Sequence, residues 1–145
     1  MYSRVYVEIT NICNRACTFC PGTKRDKRRM TVAEFSRILD QLVGVTQYLY
    51  LHVMGEPLTH PDLPVFVDMA SERGFKVAIT TNGTLLKKRT DELLTSRLYK
   101  VNISIHSFES GTRDEYLNYI NSCIDFADAS SKMGILTVLR LWNRG

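Results

Sequence analysis

Cys13, Cys17 and Cys20 put three thiols within eight residues, directly after the apolar strand pattern Val5-Tyr6-Val7-Glu8-Ile9. Soft ligands crowded on one loop suit zinc or an iron–sulfur cluster. A structural zinc or a cubane cluster normally takes four protein ligands, and no fourth cysteine lies nearby, so one metal position is left open for chemistry. Two other uses of the same thiols stay open at this point. One is a structural zinc completed by His52, His60 or His106. The other is an iron–sulfur carrier completed by Cys123, although that cysteine sits in a helical pattern beside Ile120, Ile124 and Phe126 and reads as a small buried hydrophobe.

The composition adds bounds rather than chemistry. A chain of 145 residues that is 44% hydrophobic and 23% charged is an ordinary folded domain, expected to be one unit over residues 1–145. The cysteines do not form a disulfide framework, which points to a reducing compartment. The N-terminus carries no leader pattern, and no apolar run reaches membrane-spanning length, so a cytoplasmic chain without membrane contact is expected. Net charge is +4, from 19 basic and 15 acidic residues. The run Lys24 to Arg29 holds five positive charges and one negative, which accounts for the whole excess. With no interleaved aromatics it reads as a solvated loop, and nucleic acid is not an expected partner.

The elements that must position the thiols follow from periodicity. Strand and helix patterns alternate along the chain, as parallel strands joined by crossover helices require. Strands are expected over Arg4 to Thr10, Tyr48 to Val53, Lys76 to Thr81, Lys100 to His106 and Ile135 to Trp142. Helices are expected after a Thr31/Glu34 capping box up to Gly44, and over Pro61 to Arg73, Thr90 to Arg97 and Arg113 to Lys132. This is about four and a half βα units without a linker. A closed eight-fold barrel needs at least about 200 residues, so the expected fold is an α/β partial barrel with two edge strands. The long apolar pattern Leu136 to Trp142 suggests that the natural protein continues past Gly145.

In such folds ligands gather beyond the carboxyl ends of the strands. The loops there are distinctive: the three cysteines, then Met54-Gly55-Glu56-Pro57-Leu58, then Thr80-Thr81-Asn82-Gly83-Thr84, then Ser104-Ile105-His106-Ser107. The set resembles the radical S-adenosylmethionine (radical SAM) superfamily. Its Cys-x3-Cys-x2-Cys loop, with an aromatic before the last cysteine, is matched by Cys13, Cys17, Phe19 and Cys20. Its Gly-Gly-Glu-Pro motif is matched by Gly55-Glu56-Pro57, with Met54 in place of the first glycine. Thr81-Asn82-Gly83-Thr84 is similar to the third-strand motif of the branch containing molybdenum-cofactor enzymes and peptide maturases.

The resemblance implies that Cys13, Cys17 and Cys20 hold a [4Fe-4S] cluster whose fourth iron is chelated by S-adenosylmethionine. It implies that Met54, Gly55 and Glu56 receive the methionyl amino group, and that Asn82 belongs to the same binding wall. Ser104 and His106 occupy ribose-contact positions, where the branch more often has an acid than His106. Arg140 is placed to pair with the methionyl carboxylate, in the bidentate way guanidinium favours. The implied activity is reductive cleavage to a 5′-deoxyadenosyl radical that modifies a peptide or a small molecule, fed by a reductant such as flavodoxin or ferredoxin. A zinc or iron–sulfur scaffold, a regulatory half-barrel without radical catalysis, is the reading from a different class.

Overall fold

The structure, a computed structural model, describes residues 1–14, 24–105 and 111–141. Five strands, β1 (Val5–Tyr6), β2 (Tyr48–Tyr50), β3 (Lys76–Thr81), β4 (Lys100–Ser104) and β5 (Leu136–Arg140), form one parallel sheet in the order β1-β2-β3-β4-β5. Four helices connect them: α1 (Val32–Leu42), α2 (Leu63–Glu72), α3 (Leu86–Leu94) and α4 (Arg113–Lys132). Sequential parallel order with a helix in every crossover is the topology of a (βα) barrel, here left open at β1 and β5. Among the described residues no helix is long and apolar enough to cross a membrane.

Period-two alternation divides the sheet into two faces. Val7, Ile9, Leu49, Leu51, Val77, Ile79, Val101 and Ile103 are buried against the helices. There they meet Phe35 and Leu39 of α1, Phe66 and Ala70 of α2, Leu86 and Leu93 of α3, and Cys123 and Phe126 of α4. Phe35 and Phe66 stack with centroids 4.4 Å apart, which joins the first two helices over the sheet. Register carries Tyr6, Tyr50, Ala78, Lys100 and Leu136 across one row of the opposite, concave face. Two residues further on in each chain stand Glu8, His52, Thr80, Asn102 and Val138. In the strands that extend two residues further still, Ser104 lies in register with Arg140.

Helix boundaries follow local chemistry. At α1 the Thr31 hydroxyl accepts the Glu34 N–H at 3.1 Å and the Glu34 carboxylate accepts the Thr31 N–H at 3.0 Å, so the expected capping box is present. The Arg28 guanidinium, bonded to the same carboxylate, holds the Glu34 pKa down at about 2. A second box, Thr112 with Glu115, opens α4. The expected α4 and β3 spans are those observed.

Six other spans are corrected, β1, β2, α2, α3, β4 and β5; β2 stops at Tyr50 rather than Val53. β1 is far shorter than Arg4 to Thr10, because β2 ends at Tyr50 and the ladder loses its partner once the Val7 N–H has bonded the Tyr50 carbonyl. The chain then pairs with the basic run instead: Met30 N–H donates to the Ile9 carbonyl at 2.7 Å, and Thr10 bridges Arg29 antiparallel. α2 begins at Leu63 rather than Pro61, since the 3₁₀ turn Pro57–Thr59 and His60 occupy the approach. α3 begins at Leu86; Thr90, expected near its start, lies inside it with its hydroxyl on the Leu86 carbonyl at 2.6 Å. β4 and β5 stop at Ser104 and Arg140, and the expected ends at His106 and Trp142 lie outside the described residues.

Candidate functional site

The loops that follow β1, β2 and β3 are bolted together by hydrogen bonds before any ligand is considered. Gly55 lies so close to the β1 loop that a Cβ there would stand 2.2 Å from the Thr10 carbonyl oxygen and 2.8 Å from the Asn11 carbonyl carbon. Only a residue without a side chain permits that approach. It brings the Glu56 N–H to the Ile12 carbonyl at 2.8 Å and the Thr59 hydroxyl to the same oxygen at 3.3 Å. Cys13 is the next residue, so its position is set by the Gly55-Glu56 turn.

Glu56 then ties that turn to β3. Its carboxylate is 2% exposed as a residue and accepts three donors: Leu58 N–H at 3.1 Å, the Thr81 hydroxyl at 2.6 Å and Asn82 N–H at 2.7 Å. Burial pushes its pKa above the usual carboxylate range, against the three hydrogen bonds that pull it down. A buried acid held by three donors is an internal anchor. What Glu56 offers the mouth of the barrel is its backbone.

Asn82 stands at the far side of the same mouth. Its carboxamide oxygen accepts Thr84 N–H at 3.0 Å and the Thr84 hydroxyl at 2.7 Å. Its amide nitrogen donates to Asn14 Oδ1 at 2.8 Å and lies 4.0 Å from Cys13 Sγ. Asn14 Nδ2 completes the circuit on Thr84 Oγ1 at 2.8 Å. Gly83, at φ +81°, lets the chain turn; a Cβ there would sit 2.9 Å from Cys123 Sγ. From α4 the buried Tyr119 hydroxyl donates to the Asn82 carbonyl at 2.6 Å and lies 3.2 Å from the Ser104 carbonyl, which links the β3 and β4 loops.

The site residues expected from sequence divide as follows. Cys13, Met54, Gly55, Glu56 and Asn82 are brought together on one end of the sheet, and Ser104 and Arg140 lie side by side on the adjoining strands. Cys17, Phe19, Cys20 and His106 lie outside the described residues. Cys13 is exposed and in no disulfide, as a metal-ligating thiolate must be, and it has an amide donor beside it, so the described part of the loop fits a thiolate-bound cluster. His60 does not fit a zinc site: Nε2 donates to the Met30 carbonyl at 2.8 Å and Nδ1 accepts Asp62 N–H at 3.0 Å, so both ring nitrogens are engaged. Cys123 is buried, and burial pushes its thiol up to about 11, so it stays protonated in the core behind Gly83.

The concave row below the mouth is polar. Glu8 accepts Met54 N–H at 3.0 Å and pairs with Arg25 at 2.7 Å. Burial lowers the His52 pKa, and the nearby Arg140 charge acts the same way, against a Gly55 backbone bond and the Glu8 charge. His52 Nδ1 and Asn102 Oδ1 are buried without a hydrogen-bond partner among the described residues. Asn14, Thr84, Tyr119, Glu8 and Asn102 were not among the expected site residues. For Glu8 and Asn102 the available signal was a polar residue at every second position of otherwise apolar strands, and for Thr84 its place in the Thr81-Asn82-Gly83-Thr84 motif; for Asn14 and Tyr119 there was none short of the fold.

Comparison with known proteins is consistent with this geometry. The sequence pattern of the Radical SAM superfamily matches residues 7–135. The GTP 3′,8-cyclase of Chlorobaculum tepidum is 32% identical over 130 residues, which span 83% of this chain and 39% of that protein. The PqqA peptide cyclase of Bradyrhizobium diazoefficiens is 32% identical over 124 residues, 81% of this chain and 32% of that protein. The crystal structure of BtrN in complex with AdoMet and 2-DOIA superposes with a TM-score of 0.75 at 24% identity, covering 97% of this chain and 57% of BtrN; the likeness is one of fold. The chain spans less than half the length of the GTP 3′,8-cyclases it matches, 39% and 49% of two of them.

Proposed function

The chain belongs to the radical SAM superfamily, and from that premise we propose that residues 1–145 are the N-terminal part of its partial-barrel core, holding a [4Fe-4S] cluster on Cys13, Cys17 and Cys20 with S-adenosylmethionine against it. Once bound, the two supply one-electron reductive cleavage of a sulfonium, the radical-generating chemistry of the family. The observation that carries the reading is the bonded convergence of three separate motifs. Gly55 fits against Thr10 and Asn11, Glu56 holds Asn82, and Asn82 reaches Cys13, so the loops after three successive strands share one rigid mouth.

In this reading each residue has a physical task. The Met54–Glu56 backbone offers carbonyl acceptors to the methionyl amino group, while the Glu56 side chain keeps that backbone in place. Arg140 offers a planar cation to the methionyl carboxylate. The Ser104 hydroxyl takes the ribose side, and His106 and Phe19 are assigned cofactor contacts by the motifs in which they stand. Glu8, His52 and Thr80 stand on the face of the sheet that a substrate would approach, where they offer it polar groups. The substrate is a peptide or a small molecule, a range that the named relatives support by including both a peptide cyclase and a GTP cyclase. A flavodoxin or ferredoxin in a reducing cytoplasm is the matching electron source.

The test is anaerobic reconstitution of the chain with iron and sulfide, metal analysis, and a spectrum before and after S-adenosylmethionine. The reading predicts about four irons per chain, as one cubane cluster requires, and a changed cluster spectrum on addition. Stoichiometric zinc without iron would reject it in favour of the structural-metal alternative. A cluster indifferent to S-adenosylmethionine would favour the scaffold.

A further inference from the structure

The circuit formed by Asn14, Asn82 and Thr84 is closed, and its proton order is fixed. The Thr84 backbone N–H can only donate, so the Asn82 atom 3.0 Å away must be the carboxamide oxygen. That assignment places the Asn82 nitrogen toward Asn14 Oδ1 at 2.8 Å and Cys13 Sγ at 4.0 Å. Asn14 must then present oxygen to Asn82 and nitrogen to Thr84 Oγ1 at 2.8 Å. The Thr84 hydroxyl proton is left to donate to Asn82 Oδ1 at 2.7 Å. Every polar atom of the Asn82 side chain is therefore assigned, and its amide nitrogen, with one proton on Asn14, stands 4.0 Å from the Cys13 sulfur.

The circuit joins residues 68 and 70 positions apart, and it clamps the residue directly after Cys13. Its other end is anchored twice in the core, through Asn82 N–H on Glu56 at 2.7 Å and the Asn82 carbonyl on Tyr119 at 2.6 Å. A surface turn after a strand needs none of this. Resting on the reading that Cys13 is a cluster ligand, we propose that Asn14, Asn82 and Thr84 are positioning residues that hold Cys13 in its ligating position before metal arrives. The Asn82 amide proton then serves as a donor to the Cys13 sulfur and raises the potential of the bound cluster. A hydrogen bond to a thiolate stabilises the more negative, reduced cluster, which is the direction of that shift. Asn82 acts on the site through Cys13; its side chain has no atom left for S-adenosylmethionine.

Thr84→Val is the sharpest probe, because it keeps size and the backbone N–H while deleting the hydroxyl that both gives and accepts in the circuit. Asn82→Ala removes the donor itself, and Thr84→Ser is the conservative restoration. In the metal-free chain, the side-chain amide protons of Asn14 and Asn82, followed by NMR with ¹⁵N labelling, should exchange slowly in wild type and Thr84→Ser and faster in Thr84→Val. In the reconstituted chain, a redox titration read by electron paramagnetic resonance should show a more negative potential for Asn82→Ala and Thr84→Val. The ratio of reduced to oxidised cluster at a fixed potential should fall about threefold to tenfold, the range for one lost hydrogen bond. Thr84→Ser should stay at the wild-type value. Iron uptake lost by variants that remain folded by circular dichroism would support the positioning role. Unchanged amide exchange, or potentials and iron uptake equal to wild type in both variants, would overturn the proposal. A wild-type chain that takes up no iron would refute the cluster reading instead, and the amide exchange would still report on the circuit.

Discussion

Gly55→Ala isolates the contact on which the site is built. The new methyl would lie 2.2 Å from the Thr10 carbonyl oxygen, with the Thr10 and Asn11 carbonyl carbons at 2.7 and 2.8 Å. All three are backbone atoms, so no side-chain rotation relieves the overlap, and the two loops must part by about 1 Å to reach ordinary contact. Overpacking in a rigid setting costs about 1–3 kcal/mol. Parting the loops also strains the Glu56 N–H bond to the Ile12 carbonyl, 2.8 Å long, worth about 1 kcal/mol. A loss of about 2–4 kcal/mol is expected, a fall in Tm of roughly 5–15 °C for a domain of this size. Gly134→Ala is the control. Gly134 also lacks a side chain but has open space around its Cβ position at φ +81°, so only left-handed backbone strain of about 1–2 kcal/mol applies. Urea denaturation of the metal-free chains, followed by circular dichroism, measures both. A Gly55→Ala chain no less stable than Gly134→Ala would refute the argument that this glycine sets the spacing of the cysteine loop.

Three further outcomes follow from single side chains. Because burial raises the Glu56 pKa above its reference value of 4.5, the folded chain binds more protons than the unfolded one just above pH 4.5. Stability should therefore fall as pH rises from 4.5 through the raised pKa, and Glu56→Gln should flatten that slope in pH-dependent urea melts. Asn102→Leu removes a fully buried Oδ1 that has no partner among the described residues at the cost of one long bond, 3.5 Å, from its nitrogen to the Thr80 hydroxyl, so it should stabilise the metal-free chain by about 0.5–1 kcal/mol; a loss of stability would show that the carboxamide is satisfied. Tyr119→Phe deletes the hydroxyl 2.6 Å from the Asn82 carbonyl and should cost about 1 kcal/mol. Faster backbone amide exchange should then appear at residues 82–84 rather than throughout α4.

Much of the fold was legible because its signals are local. α4 carries a regular apolar stripe, and β3 has the apolar core Val77-Ala78-Ile79 closed by the turn signal Asn82-Gly83, so both spans were read correctly. β1 was not, because the length of a strand depends on its partner, and nothing in Arg4 to Thr10 announces that β2 stops at Tyr50. Thr90 was placed at the start of its helix, yet it lies inside α3 with its hydroxyl bonded back to Leu86. At the site, residue types and their order identified the three loops, and the resemblance of those loops named the family. The role of Glu56 was less legible: an acid in a ligand-contact motif spends its side chain on Leu58, Thr81 and Asn82. Thr84 was part of a recognised motif, but its pairing with Asn14 was invisible, since residues seventy positions apart meet only because the Gly55 contact brings the β1 loop up against the end of β3.

The most direct test of the central claim asks whether S-adenosylmethionine occupies the metal position that Cys13, Cys17 and Cys20 leave open. The reconstituted, reduced chain is mixed with S-adenosylmethionine labelled with ¹⁵N in its amino group, and electron–nuclear double resonance is recorded on the cluster signal. The account predicts a ¹⁵N coupling that is absent with unlabelled ligand and is lost when Cys13 is replaced by Ala. A cluster signal that shows no ¹⁵N coupling at saturating ligand would contradict it.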